Sequence, residues 1–532
     1  MDGTTDAPDG ADPADPPAPA AFDGLDILDI VPDGDLLLDV TFDTSASTLR
    51  AARKVTKPRP GQKTTAPVLK PRTRLGYRVR LASLRDNSAY FARLLSDTRF
   101  AEARAIEARL QELSLAGVAP SSAPAVSLPV VQIHEDDDAT RSAFQSASFA
   151  DLLRILHRVQ PTAPSSPKGA VTLHALAVLA VLADRFDCTP IVSRYVTALK
   201  FKWPATQTRP ASRDDGGPAL SRAAEESLRQ KILVAWLLDQ PPRLLAATRE
   251  LVMYGSRRWS LVGSEEDGGD EGEVVAAWWD LPDEIEAELH YRRGRVLETL
   301  ASVQRHFLRL YVGRERQCKM GYDSSASCDS FHLGEMVRFF ASRDLLSLEA
   351  DFAASFSPTP YPFSEEGTGT GGSLTRDYAT TDLAHLLAVL RQCPAYQLDR
   401  HHTGCGLRPR LLPVLDFVQA MLAAGAVAVS RQAWKADRRG ASWLSSSSSS
   451  AMGNGGGVGG DTGGTKGDGG KRVFKFTRGL ATDQRLRYEG AMAADRMARE
   501  LFTADEWDWT AEDREDSRGV EFGRTAFVGF GR

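Results

Sequence analysis

Four residues with metal-binding side chains fall in two segments of the C-terminal half of the sequence. Cys318 and Cys328 bound CKMGYDSSASC, and His402 and Cys405 lie near the end of CPAYQLDRHHTGC. Zinc takes four nitrogen or sulfur ligands in a tetrahedron, and two short loops commonly supply them. A thiol and an imidazole three residues apart can reach the same ion. The sequence therefore predicts a structural zinc site made of these four residues.

The spacing leaves other interpretations open. Nine residues separate Cys318 from Cys328, and eleven separate Cys393 from Cys405. The ligands of standard zinc fingers and ribbons have other spacings, so buried free thiols are the competing interpretation. Cys393, before Pro394, can replace any member of the set. A catalytic pair of Cys405 and His402, oriented by Asp399, is disfavoured because catalytic cysteine and histidine generally come from separate elements. We therefore expect no enzyme activity.

Two further motifs match functional patterns only superficially. GGGVGG at Gly455–Gly460 fits the dinucleotide-binding pattern GxGxxG, but it lies in low-complexity sequence with no strand before it. HEDDD at His134–Asp138 resembles a metal site, but at the end of a strand it is predicted to cap the next helix. Neither motif predicts a catalytic site.

The segments that carry the zinc ligands lie between predicted helices. Hydrophobic periodicity predicts a helical domain over 222–374, with a long helix at about 282–313 that begins near Pro282. The apolar stripe of this helix is Leu289, Val296, Leu300, Val303, Phe307 and Leu310. Other predicted helices are Arg222–Leu238, Pro242–Tyr254, Phe331–Phe340, Thr381–Gln392, Leu411–Ala424 and Asp483–Leu501.

The region 375–510 has the element order of a winged helix. A strand is predicted at Val473–Phe476, after a Ser/Gly-rich tract at 445–471 that is predicted to be disordered. Six cations could give this module a DNA-binding face: Arg408, Arg410, Arg431, Lys435, Arg438 and Arg439. A winged helix that packs against protein is the favoured interpretation.

Strand and helix patterns alternate in the N-terminal part. Leu36–Phe42, Tyr77–Leu81 and Val130–Ile133 have the apolar and β-branched content of strands. Ser83–Leu95 is predicted as a helix, and three more helices follow before Trp203 in SFADLLRILHRV, VTLHALAVLAVLADRFDC and CTPIVSRYVTALKFKW. The segments from Val130 onward offer no catalytic group, so this part predicts a binding platform.

This order of elements, with SxYF, FxDLLRILH and LAxRFDC in its helices, resembles a BTB/POZ domain over 30–203. The chain departs from the family at Arg80, near which a histidine usually stands, and in a basic hairpin insertion at about 50–75. The resemblance implies protein partners, a homodimer formed through the first strand and first helix, and an adaptor role, including that of a substrate receptor for cullin-based ubiquitin ligases. The residues that it assigns to self-association are Leu38, Val40, Phe42, Tyr90, Phe91 and Leu95.

Composition and charge restrict the classes of function. The 532 residues are 42% hydrophobic and carry a net charge of −5, which argues against a protein that coats nucleic acid. Twelve aspartates and no Lys or Arg precede Arg50, whereas twelve basic residues and no acid occupy Arg50 to Arg85. The basic block is predicted as a solvated insertion that contacts the acidic tail, with a nuclear-import or nucleic-acid-contacting loop as the alternative.

Localisation follows from what the sequence lacks. No apolar run is long enough for a membrane span, and the N-terminus has no signal-peptide pattern. Five dispersed cysteines are typical of reduced thiols. We therefore expect a cytoplasmic or nuclear protein that does not contact the membrane.

The predicted fold class is α+β and mostly helical. An acidic disordered tail (1–29) precedes the BTB/POZ-like domain (30–203), a linker (204–221), the helical domain (222–374), the winged-helix-like module (375–510) and a final tail (511–532). The predicted function is protein–protein interaction without catalysis. A transcriptional regulator that contacts DNA through the basic loop or wing is the alternative, and an unrecognised Cys-His enzyme is a weaker one.

Overall fold

The computed structural model describes residues 25–55, 69–161, 171–208, 219–261, 275–318, 320, 325–343, 345–346, 378–444, 471–481 and 490–509. Contacts divide them into two compact units. The first holds 25–55, 69–137, 141–161 and 185–191, and the second holds 138–140, 171–184 and the described residues from 192 onward. Most of the predicted acidic tail, nearly all of the Ser/Gly-rich tract with its GGGVGG motif, and the tail at 511–532 lie outside the described residues.

The first unit contains a four-stranded mixed sheet. Its strands are β1 (Asp26–Asp29), β2 (Leu36–Asp43), β3 (Arg72–Val79) and β4 (Val130–Asp136), in the order β1-β3-β2-β4. β2 pairs antiparallel with β3 and parallel with β4, and β1 pairs parallel with β3. Seven of the eight β2 residues are buried, because this central strand is covered on both faces.

The helices of the first unit are α1 (Ala46–Val55), α2 (Leu81–Asn87), α3 (Ala89–Ser96), α4 (Ala101–Leu115) and α5 (Gln145–Leu156). The prediction of one helix over Ser83–Leu95 is wrong, because Ser88 interrupts it with an extended backbone. The Ser88 hydroxyl accepts the Phe91 N–H at 3.1 Å and caps α3, and it donates to the Phe186 carbonyl at 2.7 Å.

The HEDDD segment also differs from its prediction. Its first residues belong to β4, and the Asp137 carboxylate accepts the Ser45 N–H at 3.0 Å and the Ser45 hydroxyl at 2.9 Å. Ser45 immediately precedes α1, so Asp137 holds the start of a helix that lies 92 residues earlier in the chain, not the next helix. The predicted insertion is helical up to residue 55, and its residues 56–68 lie outside the described part.

An aromatic cluster fills the core of the first unit. The ring centroid of Phe149 on α5 lies 5.7 Å from that of Phe42 and 5.4 Å from that of Tyr77. The rings of Phe186 and Phe91 are stacked, with their centroids 5.4 Å apart. Ring pairs of this kind stabilise a fold by about 0.5–1.5 kcal/mol beyond the area that they bury. The strands, α3 and α5 are therefore held together by the same few side chains.

The second unit is built around one long helix. It contains all or part of α6 (Leu173–Arg185), α7 (Thr189–Leu199), α8 (Arg222–Leu237), α9 (Pro241–Tyr254), α10 (Arg257–Leu261), α11 (Ile285–Val312), α12 (Ser325–Ala341), α13 (Leu383–Arg391), α14 (Arg408–Leu422), α15 (Arg431–Ala436), α16 (Arg438–Ala441), α17 (Arg478–Ala481), α18 (Ala491–Phe502) and the paired strands β5 (Val473–Lys475) and β6 (Glu506–Asp508). The predicted long helix is thus confirmed as α11.

The unit boundaries fall within α6 and α7, and the predicted domain limit at 203 stays a prediction.

Two buried arginines of α11 bind the surrounding segments. Arg293 donates to the carbonyls of Val252 and Tyr378, each at 2.6 Å. Arg292 donates to the Glu288 carboxylate at 2.6 Å and to backbone carbonyls of the 426–441 segment. A buried guanidinium is costly unless its N–H groups find acceptors, so these bonds fix the positions of the loops that supply the carbonyls.

The described residues confirm the broad fold class, α+β with mostly helical content and a small mixed sheet. The predicted strand at Val473–Phe476 is observed as β5. Among the helices of the described part, none combines the length and apolar character that a membrane span requires.

Glu135, near the end of β4, is a buried carboxylate. It is 3% exposed, accepts from Gln145 at 3.2 Å and lies 3.3 Å from the Arg185 guanidinium. Burial raises the pKa of this carboxyl to about 7, with Asp136 adding to the rise and Arg185 opposing it. The folded state therefore binds a proton between pH 4.5 and 7 that the unfolded chain has released, so the free energy of unfolding falls as the pH rises through this window.

We predict that Glu135→Gln removes the fall in the free energy of unfolding that the wild type shows as the pH rises from 4.5 to 7. Above pH 7 the variant should exceed the wild type in the free energy of unfolding of the first unit, by on the order of 3 kcal/mol, and the two should converge near pH 4.5. All nine tryptophans lie in the second unit, so a urea transition seen by circular dichroism but not by tryptophan fluorescence belongs to the first. Glu107→Gln, at an exposed acid of α4 in the same unit, is the control. Equal pH profiles for the wild type and Glu135→Gln would contradict the assignment.

Candidate metal centre

The structure brings together the four residues of the predicted zinc site. The donor atoms of Cys318, Cys328, His402 and Cys405 all lie within 4.8 Å of one another, and all four residues are buried. Within the described residues no other group of three or more cysteine, histidine or carboxylate side chains is arranged in this way. The set is compact and protected from solvent.

Three separate elements supply these side chains. Cys318 lies in the segment between α11 and α12, Cys328 lies in the first turn of α12, and His402 and Cys405 lie in the loop before α14. The Asp399 carboxylate shapes this loop by accepting the backbone N–H groups of His401 and His402 at 2.7 and 3.2 Å. Gly404 then takes a φ of +79°, in the left-handed region that favours glycine, between the two ligands of the loop.

A set of hydrogen bonds around the centre holds its segments together. The Tyr311 hydroxyl at the end of α11 donates to the Cys405 carbonyl at 2.6 Å. Arg410 of α14 donates to the Gln317 carbonyl at 2.9 Å, and the Gln317 N–H donates to the Asp329 carboxylate of α12 at 2.9 Å. These bonds fix the backbone next to Cys318 and Cys405 without using a ligand atom.

The distances within the cluster fit a tetrahedral ion. Two sulfurs bound to one zinc at about 2.3 Å lie about 3.8 Å apart in a tetrahedron, and the Sγ atoms of Cys318 and Cys405 are 3.8 Å apart. Cys318 Sγ lies 3.2 Å from Nδ1 of His402. The widest separation, up to 4.8 Å, requires an inward movement of about 1 Å for ideal tetrahedral geometry.

The thiols of the cluster differ in their protonation. Burial opposes ionisation of Cys318, but hydrogen bonds from the Met320 backbone, Ser325 and the neighbouring cluster side chains lower the pKa of this thiol to about 7. Burial and the adjacent Cys318 raise the pKa of the Cys328 thiol to about 12. Cys328 therefore needs a neighbouring cation to ionise at neutral pH, as a metal ligand must.

His402 has one nitrogen toward the thiols and one toward a carboxylate. Nδ1 faces Cys318, and Nε2 lies 3.8 Å from the Asp399 carboxylate. An imidazole bound to a metal usually directs its other N–H to an acceptor, which fixes the tautomer and the ring orientation. From the sequence alone, Asp399 is a candidate only for the third member of a catalytic set. Its position in the structure suits the support of a metal ligand instead.

Cys393 and His401 lie outside the group. Cys393 is buried with its sulfur 3.8 Å from the Pro394 carbonyl, and burial raises the pKa of this thiol to about 11. His401 is exposed and accepts a hydrogen bond from Arg400 at 3.0 Å. The structure therefore selects His402 and leaves Cys393, the predicted substitute, away from the other donors.

The residues assigned to self-association have another role in the first unit. Leu38, Val40, Phe42, Phe91 and Leu95 are at most 4% exposed, so their side chains belong to the core and form no accessible surface. This corrects the assignment for those five residues. Tyr90 alone of the six is partly exposed, and the next residue on the same face of α3, four positions later, is the partly exposed Leu94.

Five of the six cations of the predicted DNA-binding face have partners within the second unit. Arg410 binds Gln317, Arg431 pairs with Asp239 at 2.7 Å, and Arg438 forms an ion pair with Glu284. Lys435 lies over the Trp236 ring, and Arg408 donates to the Cys393 carbonyl at 2.5 Å. Most of these side chains therefore serve intramolecular contacts, which a count of basic residues in the sequence does not reveal.

Sequence reasoning missed the residues that support the centre. Tyr311, Gln317 and Asp329 carry no motif, and their importance arises only from the contact of α11, α12 and α14.

No protein-family model, no curated protein and no solved structure matches this chain. The interpretation of the centre therefore rests on its own geometry.

We predict that Asp399→Asn weakens zinc binding by about 10- to 100-fold, because an amide that keeps its oxygen on the backbone N–H groups of His401 and His402 turns an uncharged NH2 group toward the imidazole in place of a carboxylate oxygen. Competition with a chromogenic chelator measures the affinity, and saturating zinc should restore the wild-type thermal midpoint. Asp416→Asn, at an exposed residue of α14 paired with Arg391, is the matched control. Equal affinities of Asp399→Asn and the wild type would show that Asp399 does not support the ligand.

Proposed function

We propose that this chain is a non-catalytic interaction protein whose second unit is stabilised by one structural zinc ion. The observation that carries the metal assignment is the convergence of three buried thiols and one imidazole from three elements. Three thiolates and an imidazole suit zinc in both ligand type and number.

The closed ligand set favours a structural over a catalytic centre. A catalytic zinc keeps one position open for water or substrate, whereas four protein ligands fill the tetrahedron. Cys318 is the most exposed ligand at 8%, and Cys328 is fully buried. A Cys-His enzyme is therefore not proposed.

Purified protein should contain about one zinc per chain, and Cys405→Ser should lose most of it. At a free zinc concentration 1,000 times Kd, bound metal stabilises the fold by about 4 kcal/mol, which for a unit of this size corresponds to a fall of about 10 °C on removal. Elemental analysis gives the metal content, and tryptophan fluorescence reports the melting of the second unit.

Cys393→Ser is the matched control for this experiment, because Cys393 is equally buried but outside the group. It should keep the metal and show the same fall in thermal midpoint on zinc removal as the wild type. Wild-type protein without zinc, or a Cys405→Ser variant that melts at the wild-type temperature, would reject the structural-metal assignment. Loss of a measured activity in a Cys405→Ser protein that stays folded would instead favour the enzyme alternative.

We also propose that the first unit is BTB/POZ-like and acts in self-association and as an adaptor, including for cullin-based ubiquitin ligases. Support comes from the order of its elements: two paired strands, the helices that begin at Leu81, the strand β4 and the helix α5. The partly exposed Tyr90 and Leu94 on α3 form the surface that we assign to self-association. The DNA-binding alternative is not proposed, because most of the cations of the predicted wing have intramolecular partners.

We predict a solution mass of about twice 57.8 kDa for the wild type and a shift toward monomer for Tyr90→Glu. A charge at this partly exposed position disfavours burial between two copies. Because the Tyr90 ring also packs edge-on against Phe186, with ring centroids 5.3 Å apart, circular dichroism must show that the variant stays folded. Light scattering after size-exclusion chromatography measures the mass. Val126→Glu, at an apolar residue that is 54% exposed in the same unit, is the control. A monomeric wild type contradicts self-association, and failure to co-purify with a tagged cullin contradicts that adaptor role.

A further inference from the structure

We propose that Cys318 and Cys405 form a redox pair, which a hydroperoxide closes to a disulfide with release of the metal. The inference rests on the proposed function in one respect, since the same cluster is assigned to zinc. The pairing itself depends only on the positions of the side chains, so it is testable in protein with or without metal.

The geometry selects this pair among the cysteines of the cluster. The Sγ atoms of Cys318 and Cys405 are in contact at 3.8 Å, and bond formation at about 2.05 Å needs a relative movement of under about 2 Å. Both residues lie outside helices, and Cys405 follows Gly404, whereas the backbone of Cys328 is fixed in α12. The two non-helical segments can adjust more easily than a helix.

Solvent exposure and a neighbouring imidazole favour Cys318 as the residue that attacks first. Cys318 is 8% exposed, compared with 2% for Cys405 and none for Cys328. Nδ1 of His402 lies 3.2 Å from Cys318 Sγ, within hydrogen-bond distance of the attacking sulfur. Cys405 is then in position as the resolving thiol.

The reaction proceeds in two steps that balance. The Cys318 thiolate attacks one oxygen of hydrogen peroxide, the O–O bond breaks, and Cys318 becomes a sulfenic acid as hydroxide leaves. The Cys405 thiolate attacks the Cys318 sulfur, the S–S bond forms, and a second hydroxide leaves. Two protons convert the hydroxides to water, so two thiolates lose two electrons and one peroxide gains them.

Disulfide and metal exclude each other at this site. Two sulfurs joined to each other are no longer thiolate ligands, which leaves only Cys328 and His402. Two ligands do not satisfy the tetrahedral preference of zinc, so the ion is released. The new bond links residues 87 positions apart and continues to hold the segment after α11 against the loop before α14.

The test uses full-length protein, zinc-loaded in one arm and stripped with EDTA in the other, with hydrogen peroxide as the oxidant. After alkylation, tryptic digestion places Cys318, Cys328, Cys393 and Cys405 in separate peptides: 317–319, 320–338, 392–400 and 401–410. We expect peptide 317–319 to be linked to peptide 401–410 in both arms. In the zinc arm, a chromogenic chelator should detect one zinc released per disulfide.

Variants separate this pairing from general thiol oxidation. Cys405→Ser should leave Cys318 as a sulfenic acid that dimedone labels, because the resolving thiol is missing. Cys393→Ser and Cys188→Ser, at buried cysteines outside the cluster, should form the same linked peptides as the wild type.

Three outcomes overturn the inference: a dominant link to peptide 320–338, over-oxidation of Cys318 without a link, or unmodified thiols at peroxide concentrations that oxidise the denatured chain. Protein that contains no zinc but forms the Cys318–Cys405 link would reject the metal assignment and retain the redox pair. Protein that contains zinc but does not form the link would reject the redox pair and retain the metal assignment.

Discussion

The second unit depends on α11 and on the hydrogen bonds that its buried polar groups require. Near its first third, the Arg293 guanidinium finds backbone carbonyls of Val252 and Tyr378, and at its end the Tyr311 hydroxyl finds the carbonyl of Cys405. Buried donors without acceptors would cost free energy, so the helix determines where the segments that supply these carbonyls lie. The core and the Cys/His centre are therefore parts of one hydrogen-bonded arrangement.

The centre combines two properties that explain both proposals. Its donor atoms lie at the distances of a tetrahedral ion, and the two non-helical cysteines are already in sulfur–sulfur contact. A cation and a disulfide are alternative ways to remove the free energy penalty of ionised thiols in a buried position. The surrounding bonds of Gln317 and Tyr311 use backbone groups and are compatible with either state.

In the first unit, the pattern of apolar residues predicts secondary structure better than it predicts the exposed surface. The pattern located strands and helices near their observed places, but it did not distinguish an apolar residue in the core from one in an interface. Phe91 is buried against Phe186, whereas Tyr90, the preceding residue, keeps part of its surface exposed. Of the α3 residues, Tyr90 and Leu94 are therefore accessible to a partner, whereas the buried Phe91 and Leu95 are not.

By itself, the sequence determined the elements that depend on local periodicity and the chemical types of the site. The stripe from Leu289 to Phe307 and the Pro282 start predicted α11 to within three residues at each end, and the ligand set Cys318, Cys328, His402 and Cys405 followed from what zinc accepts. Tertiary structure alone decided the break at Ser88, the exclusion of Cys393 and the inward orientation of Arg410. The physical reason is that helix periodicity is encoded within a few turns, whereas these outcomes depend on contacts between residues tens of positions apart, whose distances are fixed only when the helices pack.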